Sequence, residues 1–138
     1  NLFDITIYNP VKKKTIEKPD TVATAIRIGA PQSKILAEEA SISSNGWFRK
    51  LTDEEILINQ SILAKHEGIF CEPASAISFG GAIADIKDDK IPEGSTVVCT
   101  LTGHGLKDPD IVLKGKSNNV IEVSSSRDAV SAIISSYI

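Results

Sequence analysis

Two short stretches of the sequence collect the side chains that could carry out chemistry. Residues 102–108 (TGHGLKD) and residues 72–76 (EPASA) each follow an apolar run that is typical of a buried strand. Both offer hydroxyls, a carboxylate and small residues, beside which a planar ligand could approach the backbone. In open parallel α/β sheets, ligands bind beyond the carboxyl ends of the strands, so both stretches are candidate binding loops.

The residue types in these loops permit several interpretations. Gly103 and Gly105 could cradle a phosphate, but the third glycine of a dinucleotide fingerprint and the lysine of a P-loop are missing, and a tight turn explains both glycines as well. His104 could act as a general base or lie in solvent. Glu72 could serve a ligand, or could interact with the N-terminus of the helix that follows it. The sequence alone does not assemble a Ser-His-Asp triad.

Alternating strand and helix patterns would position these loops. Thr52 and Glu55 form a capping box, which predicts a helix that runs to about Glu67 and ends at Gly68. Further helices are predicted at residues 21–26, 31–40, 74–88 and 126–137, and strands at 3–8, 47–51, 69–71, 96–101 and 120–123. Strands that alternate with helices indicate an α/β fold, with a parallel sheet flanked by helices.

Two of the predicted helices carry further packing signals. The 74–88 helix contains Gly80-Gly81, and because a mid-helix glycine costs about 1 kcal/mol relative to alanine, the pair predicts close packing against another backbone. Ser126 is expected to cap the last helix. That helix has a single apolar stripe, formed by Ala129, Val130, Ile133, Ile134 and Tyr137.

Composition excludes several classes of protein. With 138 residues, 41% of them apolar and 24% charged, the chain has the composition of one globular domain and not of a disordered segment. Its net charge of −3, without a basic stripe, argues against nucleic-acid binding. No apolar run reaches the roughly 18 residues of a membrane span.

Cysteine and histidine usage points to a cytoplasmic protein without a metal site. Cys71 and Cys99 are too few for a disulfide framework, so we expect both to be reduced and buried. His66 and His104, the two histidines, lack the close spacing of metal ligands. The sequence contains no methionine, even at position 1, so we expect it to come from a longer open reading frame.

Taken in order, four segments resemble the C-terminal part of the threonine synthases, a family of pyridoxal-phosphate enzymes of the tryptophan-synthase β type. These segments are residues 23–29 (ATAIRIG), 52–56 (TDEEI), 68–76 (GIFCEPASA) and 101–109 (LTGHGLKDP). The resemblance extends in register over about residues 19–125, and residues 1–18 match only weakly. It implies that residues 1–138 are the C-terminal portion of a pyridoxal-phosphate enzyme of fold type II.

The resemblance also implies a set of cofactor-binding residues. Thr102 matches the hydroxyl residue that hydrogen-bonds the pyridine nitrogen of pyridoxal phosphate. Glu72 matches a carboxylate near the ring, and Ala25 and Ile26 pass close to one ring face. For Arg27 we expect a structural ion pair rather than a substrate contact.

The implied activity is the conversion of O-phosphohomoserine and water to threonine and phosphate. The Schiff-base lysine and the phosphate-binding loop of the family match nothing in this chain, so we expect a missing N-terminal half to supply them and the isolated chain to be inactive. No catalytic residue is assigned within the chain, and a homo-oligomer is possible. A related threonine/serine dehydratase, or a non-catalytic domain that binds a partner or a small ligand, is the alternative.

Overall fold

Helices dominate the parts of the chain that the computed structural model describes, which are residues 8–9, 14–114 and 121–137. The α-helices in those parts are α1 (Lys34–Ser43), α2 (Asp53–Glu67), α3 (Pro73–Lys87), α4 (Pro109–Lys114) and α5 (Arg127–Ser135). Single 3₁₀ turns lie at Thr24–Ile26 and Gly105–Lys107. The chain divides into two compact units, one ending at Asp108 and the other beginning at Pro109.

Helix α2 begins and ends as its sequence predicts. The Glu55 amide donates to the Thr52 hydroxyl (3.2 Å), and the Thr52 amide donates to the Glu55 carboxylate (2.7 Å), which completes the capping box. These hydrogen bonds from Thr52 lower the pKa of Glu55 below its ordinary value. Gly68 ends the helix with a φ of 67°, in the left-handed region that glycine adopts without strain.

The N-terminal helix predictions are correct only in part. Of residues 21–26 only Thr24–Ile26 are helical, in one 3₁₀ turn, because the Thr21 hydroxyl donates to Asp53 (2.6 Å) and accepts from the Ala23 amide instead of capping a helix. Helix α1 begins at Lys34, after a turn at residues 32–33, and not at Pro31.

The predicted parallel sheet is not found among the described residues. Residues 47–51 and 96–101 are irregular there, as are residues 121–123, whereas residues 3–7 and Val120 lie outside the described ranges. The strands that are described pair antiparallel over two residues each, β1 (Tyr8–Asn9) with β2 (Lys14–Thr15). A strand forms only where another strand meets its N–H and C=O groups, and β-branched residues favour strands without supplying that partner. The sheet therefore stays a prediction.

The core of the first unit lies between α2 and α3. One buried cluster joins Ala23, Leu51 and Ile56, and a second joins Leu63, Cys71 and Ala76. Gln60 of α2 also donates to the Cys71 carbonyl (2.8 Å) within this core. The two helices thus fix the segment around Cys71, which leads into Glu72 and the first turn of α3.

The Gly80-Gly81 pair does not pack against another backbone as predicted. Gly80 packs closely against side chains instead, since a Cβ there would lie 2.7 Å from Leu51 Cδ1 and 2.8 Å from Asn59 Nδ2, and those side chains would have to shift. A Cβ at Gly81 would meet nothing within 4 Å, so the prediction is wrong for that residue.

The cysteines are free, as predicted, but they differ in burial. Cys71 is buried and Cys99 is only partly buried. Burial raises the pKa of the Cys71 thiol, so this thiol is protonated at neutral pH and acts as a small apolar core side chain.

The second unit contains α4 and α5. The Ala129 amide donates to the Ser126 hydroxyl (3.3 Å), so Ser126 caps α5 as predicted. Residues of the α5 stripe retain exposed surface, with Ile134 at 54% and Tyr137 at 74%. Among the helices described here, none is both long and apolar enough to cross a membrane.

A polar cluster links the segment before α2 to the end of α3. The Trp47 indole N–H donates to Asp85 (2.8 Å), and the Arg49 guanidinium bridges Asp85 (2.7 Å) and Asp88 (2.6 Å). Burial alone would raise the pKa of Asp85, but the hydrogen bonds from Trp47 and Arg49, with the charges of Arg49 and Lys90, together lower it. The folded state therefore favours the ionised carboxylate.

We predict that Asp85→Asn lowers the stability of this chain at pH 7 by about 1–3 kcal/mol, because it removes the charge that faces Arg49. Since the folded pKa of Asp85 is depressed, its contribution is present above the unfolded pKa of about 3.9 and is lost as the pH falls through the folded value. The difference between the two proteins should therefore shrink as the pH falls below the unfolded value and disappear once it is below the folded one. Urea unfolding followed by the fluorescence of Trp47, the single tryptophan, measures it.

Asp20→Asn, at an exposed aspartate, is the matched control and should leave the unfolding curve unchanged. A difference between wild type and Asp85→Asn that persists undiminished at pH 3 would contradict the assignment of charge to this cluster.

Candidate functional site

A cavity of about 1000 Å³ in the first unit contains all four of the predicted cofactor-binding residues on its walls: Ala25, Ile26, Glu72 and Thr102. These residues come from three separate parts of the sequence. Small and apolar side chains of α1 and α3 complete much of the wall, among them Ala37, Ala40, Ala74, Ile77 and Ala82. The structure thus brings the four residues to one concave surface, which is where small ligands bind in proteins.

Backbone pairing brings the two candidate loops together. The Glu72 amide donates to the Gly103 carbonyl (2.9 Å), and the Gly105 amide donates to the Phe70 carbonyl (3.0 Å). Cys71 and His104 form an antiparallel bridge between these two bonds. The two stretches therefore meet, and they run antiparallel at their contact rather than side by side at the end of a parallel sheet.

Thr102 presents a hydroxyl at the cavity wall. Its Oγ1 lies 3.2 Å from the Oγ of Ser75 on α3, and it has no other hydrogen-bond partner among the described residues. Ser75 is buried, with 3% of its surface exposed, whereas Thr102 is exposed. The Gly103 amide donates to the same Ser75 hydroxyl (2.8 Å). Ser75 thus ties both Thr102 and Gly103 to the first turn of α3.

Glu72 is the N-cap residue of α3, and its side chain is 6% exposed. Its carbonyl accepts from the amides of Ser75 (3.0 Å) and Ala76 (3.3 Å), while its side chain makes no capping hydrogen bond. The carboxylate instead pairs with the Lys107 ammonium at 3.3 Å. The macrodipole of α3 also favours a carboxylate at this position. Glu72 can therefore interact with the N-terminus of α3 and still line the cavity.

The glycines of the 102–108 loop are required by space, not by backbone conformation. Neither Gly103 nor Gly105 has a positive φ, so a left-handed backbone does not account for them, although Gly105 begins a 3₁₀ turn. A Cβ at position 103 would lie 1.9 Å from the Glu72 carboxylate, and one at position 105 would lie 2.4 Å from the Phe70 ring. The two glycines let the loops approach each other.

A hydrogen bond and a ring contact hold the His104 imidazole against the neighbouring backbone and Phe70. Its Nδ1 accepts from the Leu106 amide (3.1 Å), which caps the Gly105–Lys107 turn, and its ring packs edge-on against Phe70 with centroids 5.6 Å apart. The Nδ1 lone pair is engaged in this backbone hydrogen bond, so the described contacts of His104 are structural ones.

Ala25 and Ile26 reach the cavity through a short, well-anchored turn. The Arg27 guanidinium donates to the Thr21 carbonyl, with the Nε bond at 3.0 Å, and closes the loop around both residues. The predicted ion pair of Arg27 is not found within the described ranges, where its guanidinium hydrogen-bonds to backbone. Thr24 adds a hydrogen bond to Asp108 (2.6 Å), which links this turn to the end of the 102–108 loop.

Two features of the cavity wall are not predicted by the sequence. Ser75 lies in the 72–76 stretch, but no sequence pattern distinguishes its hydroxyl from the neighbouring side chains. Asp85, Arg49 and Trp47 also line the cavity, and an aspartate inside an otherwise apolar helix was the available signal. Their mutual pairing could not be read from positions nearly 40 residues apart.

Comparison with known proteins agrees with the resemblance. Curated relatives named threonine synthase include those of Halalkalibacterium halodurans, 52% identical over 103 residues (75% of this chain, 29% of the relative), and of Synechocystis, 50% identical over 110 residues (80% and 28%). The threonine synthase of Methanocaldococcus jannaschii is 44% identical over 104 residues (75% and 26%). The chain thus spans less than a third of the length of these relatives and matches their C-terminal portion.

A family profile covers most of the chain. Residues 5–103 match the profile described as "Pyridoxal-phosphate dependent enzyme", and this range includes the candidate loops up to Gly103 and the turn at Ala25 and Ile26. Because the match takes in 99 of the 138 residues, the chain belongs to the family of pyridoxal-phosphate-dependent enzymes.

Proposed function

We propose that this chain is the C-terminal part of a threonine synthase, which converts O-phosphohomoserine and water to threonine and phosphate in threonine biosynthesis. The observation that carries the proposal is that Ala25, Ile26, Glu72 and Thr102 line one cavity, although they are spread over nearly 80 residues of sequence. Curated relatives bear the name threonine synthase, and the reaction is the one that the resemblance to this family implies. A location in the cytoplasm, expected from the reduced cysteines, is part of the same proposal.

The cavity wall fits the pyridine end of pyridoxal phosphate. Thr102 has an exposed hydroxyl whose only described partner is Ser75, which leaves it free to bond a ring nitrogen. Ala25 and Ile26 offer an apolar surface for one ring face. Gly103 leaves the space in which the Glu72 carboxylate lies, and a Cβ there would fill it. Once bound, the cofactor would withdraw electrons from the substrate.

The choice of a neutral hydroxyl bears on the reaction class. A carboxylate opposite the ring nitrogen would hold a proton on it, whereas Thr102 bonds the nitrogen without contributing a negative charge. Thr102 thereby tempers the electron withdrawal, which suits elimination and replacement better than transamination. Glu72, already paired with Lys107, lies on the same wall as a second polar group.

The proposal places the Schiff-base lysine, the phosphate-binding loop and the remaining strands of a parallel sheet outside these 138 residues. Exposed apolar side chains support this division, because Val98 is 87% exposed and Val97 43% exposed in a segment whose sequence is typical of a central strand. Neighbouring strands from the rest of the enzyme would cover them. A second copy of the chain is the alternative cover.

Two other functions remain as alternatives. A threonine/serine dehydratase would share the cofactor but act on a substrate without phosphate. A non-catalytic domain would keep the cavity and bind a partner or a small ligand without any turnover. Assaying the full-length protein with O-phosphohomoserine, threonine and serine separates the three.

We predict that Thr102→Ala in the full-length enzyme lowers threonine formation while the yellow cofactor remains bound. The variant loses one neutral hydrogen bond, worth on the order of 1 kcal/mol, or about fivefold, whereas the lysine and phosphate contacts are unchanged. Cofactor absorbance after gel filtration and phosphate release from O-phosphohomoserine measure the two effects.

Thr100→Ala is the matched control, because Thr100 is an exposed threonine on the same cavity wall, two residues away. Thr102→Ser, which keeps the hydroxyl, should retain most of the activity. Normal turnover by Thr102→Ala would show that Thr102 is only a loop residue.

For the isolated 138-residue chain we predict no threonine synthase activity and no site-specific attachment of the cofactor. Reaction with pyridoxal phosphate and borohydride should label several surface lysines, each well below one equivalent, because a specific attachment needs an amine held inside the site. Peptide mapping identifies the labelled residues.

The labelling of Lys107 is the most informative, because its ammonium lies 3.3 Å from the carboxylate of Glu72, which is on the cavity wall. Lys107→Ala should leave the labelling pattern otherwise unchanged. Stoichiometric labelling of Lys107, or of any single lysine, would contradict the division of the active site.

A further inference from the structure

The Ser75 hydroxyl occupies a position that the resemblance does not assign. It is 3% exposed, lies in the first turn of α3 and touches two groups of the neighbouring loop. The Gly103 amide donates to its Oγ at 2.8 Å, and its Oγ lies 3.2 Å from Thr102 Oγ1. Among the described residues these are its only hydrogen-bond partners.

The direction of the Ser75–Thr102 hydrogen bond follows from counting protons. A hydroxyl has one proton to donate and two lone pairs with which to accept. The Gly103 amide can only donate, so it takes one lone pair of Ser75. If Thr102 also donated to Ser75, the buried Ser75 proton would have no acceptor in the part of the chain that the structure describes, and an unmade hydrogen bond of this kind is costly. Ser75 therefore donates to Thr102.

This direction fixes what Thr102 offers to the cavity. With Ser75 donating to its Oγ1, the Thr102 proton is left for a group in the cavity. The three groups form a chain that runs from the Gly103 amide through Ser75 to Thr102, and each hydrogen bond polarises the next. Thr102 is thus a hydrogen-bond donor to its ligand, and it favours an acceptor that carries no proton.

We propose that Ser75 is a positioning residue that commits Thr102 to donate, and so keeps the pyridine nitrogen of the bound cofactor unprotonated. The inference rests on the proposed function, because it takes Thr102 as the partner of that nitrogen. Ser75 touches neither cofactor nor substrate in this role. It acts through the orientation of the Thr102 hydroxyl.

The test uses the full-length holoenzyme loaded with pyridoxal phosphate that is ¹⁵N-labelled in the ring. In the wild type the ring-nitrogen signal should have the position of an unprotonated pyridine at neutral pH. In Ser75→Ala the Thr102 hydroxyl can turn and accept, so the signal should move toward the protonated position and become dependent on pH.

Two further serine variants serve as controls. Ser78→Ala removes a hydroxyl one turn along the same helix, which donates to the carbonyls of Ser75 (3.0 Å) and Thr100 (3.1 Å), and it should leave the nitrogen signal at its wild-type position. Ser75→Thr keeps the hydroxyl and should also give the wild-type signal. A merely structural role of Ser75 predicts loss of folded enzyme without a change in ring protonation.

The outcomes separate this inference from the proposed function. If Thr102→Ala moves the nitrogen signal and Ser75→Ala leaves it unchanged, the role of Ser75 is overturned while Thr102 keeps its assignment. If neither variant moves the signal, the assignment of Thr102 itself is wrong. Should Ser75→Ala not accumulate as folded protein, Ser75→Cys replaces it, because a thiol is a weak donor and should move the signal in the same direction.

Discussion

The close approach of two loops, one ahead of α3 and one some 30 residues later, is the constraint on which the cavity depends. Backbone hydrogen bonds join Glu72 to Gly103 and Phe70 to Gly105, and the separation allows no side chain at either glycine. A Cβ at position 103 would collide with the Glu72 carboxylate, so the placement of that carboxylate and the path of the loop are fixed together. Thr102 takes its position at the cavity wall from this contact.

Helix α3 organises the surroundings of that contact. Its first turn provides Ser75 to the Gly103 amide, and its middle packs against α2, where Gly80 admits the Leu51 and Asn59 side chains. Its last turn holds Asp85, which receives hydrogen bonds from Trp47 and Arg49. One helix thus connects the polar end of the cavity to the core and to the polar cluster around the buried Asp85.

Some properties of the candidate site are complete within this chain, whereas others require the rest of the enzyme. The hydrogen bonds from Gly103 to Ser75 and from Ser75 to Thr102 are complete within this chain, so the donor character of the wall is a local property. The function proposed for the wall requires groups outside these 138 residues, which is consistent with a chain that spans less than a third of its relatives' length. The exposure of Val98 fits the same proposal, because groups outside these 138 residues would cover this side chain.

The sequence by itself determined what depends on local rules: the capping box and glycine stop of α2, the extent of α3, the Ser126 cap and, through its resemblance, the family and the four cavity residues. Tertiary structure alone decided the antiparallel contact of the loops, the reason for Gly103 and Gly105, the pairing of Arg49 with Asp85, and the link from Ser75 to Thr102. Caps and periodic patterns act within a few residues, so a sequence displays them. A strand partner, or a hydrogen bond between residues 27 positions apart, depends on which segments the packing of the whole fold brings together. For that reason the predicted strands of the sheet lack strand partners in the described residues, whereas the 72–76 and 102–108 stretches are in contact.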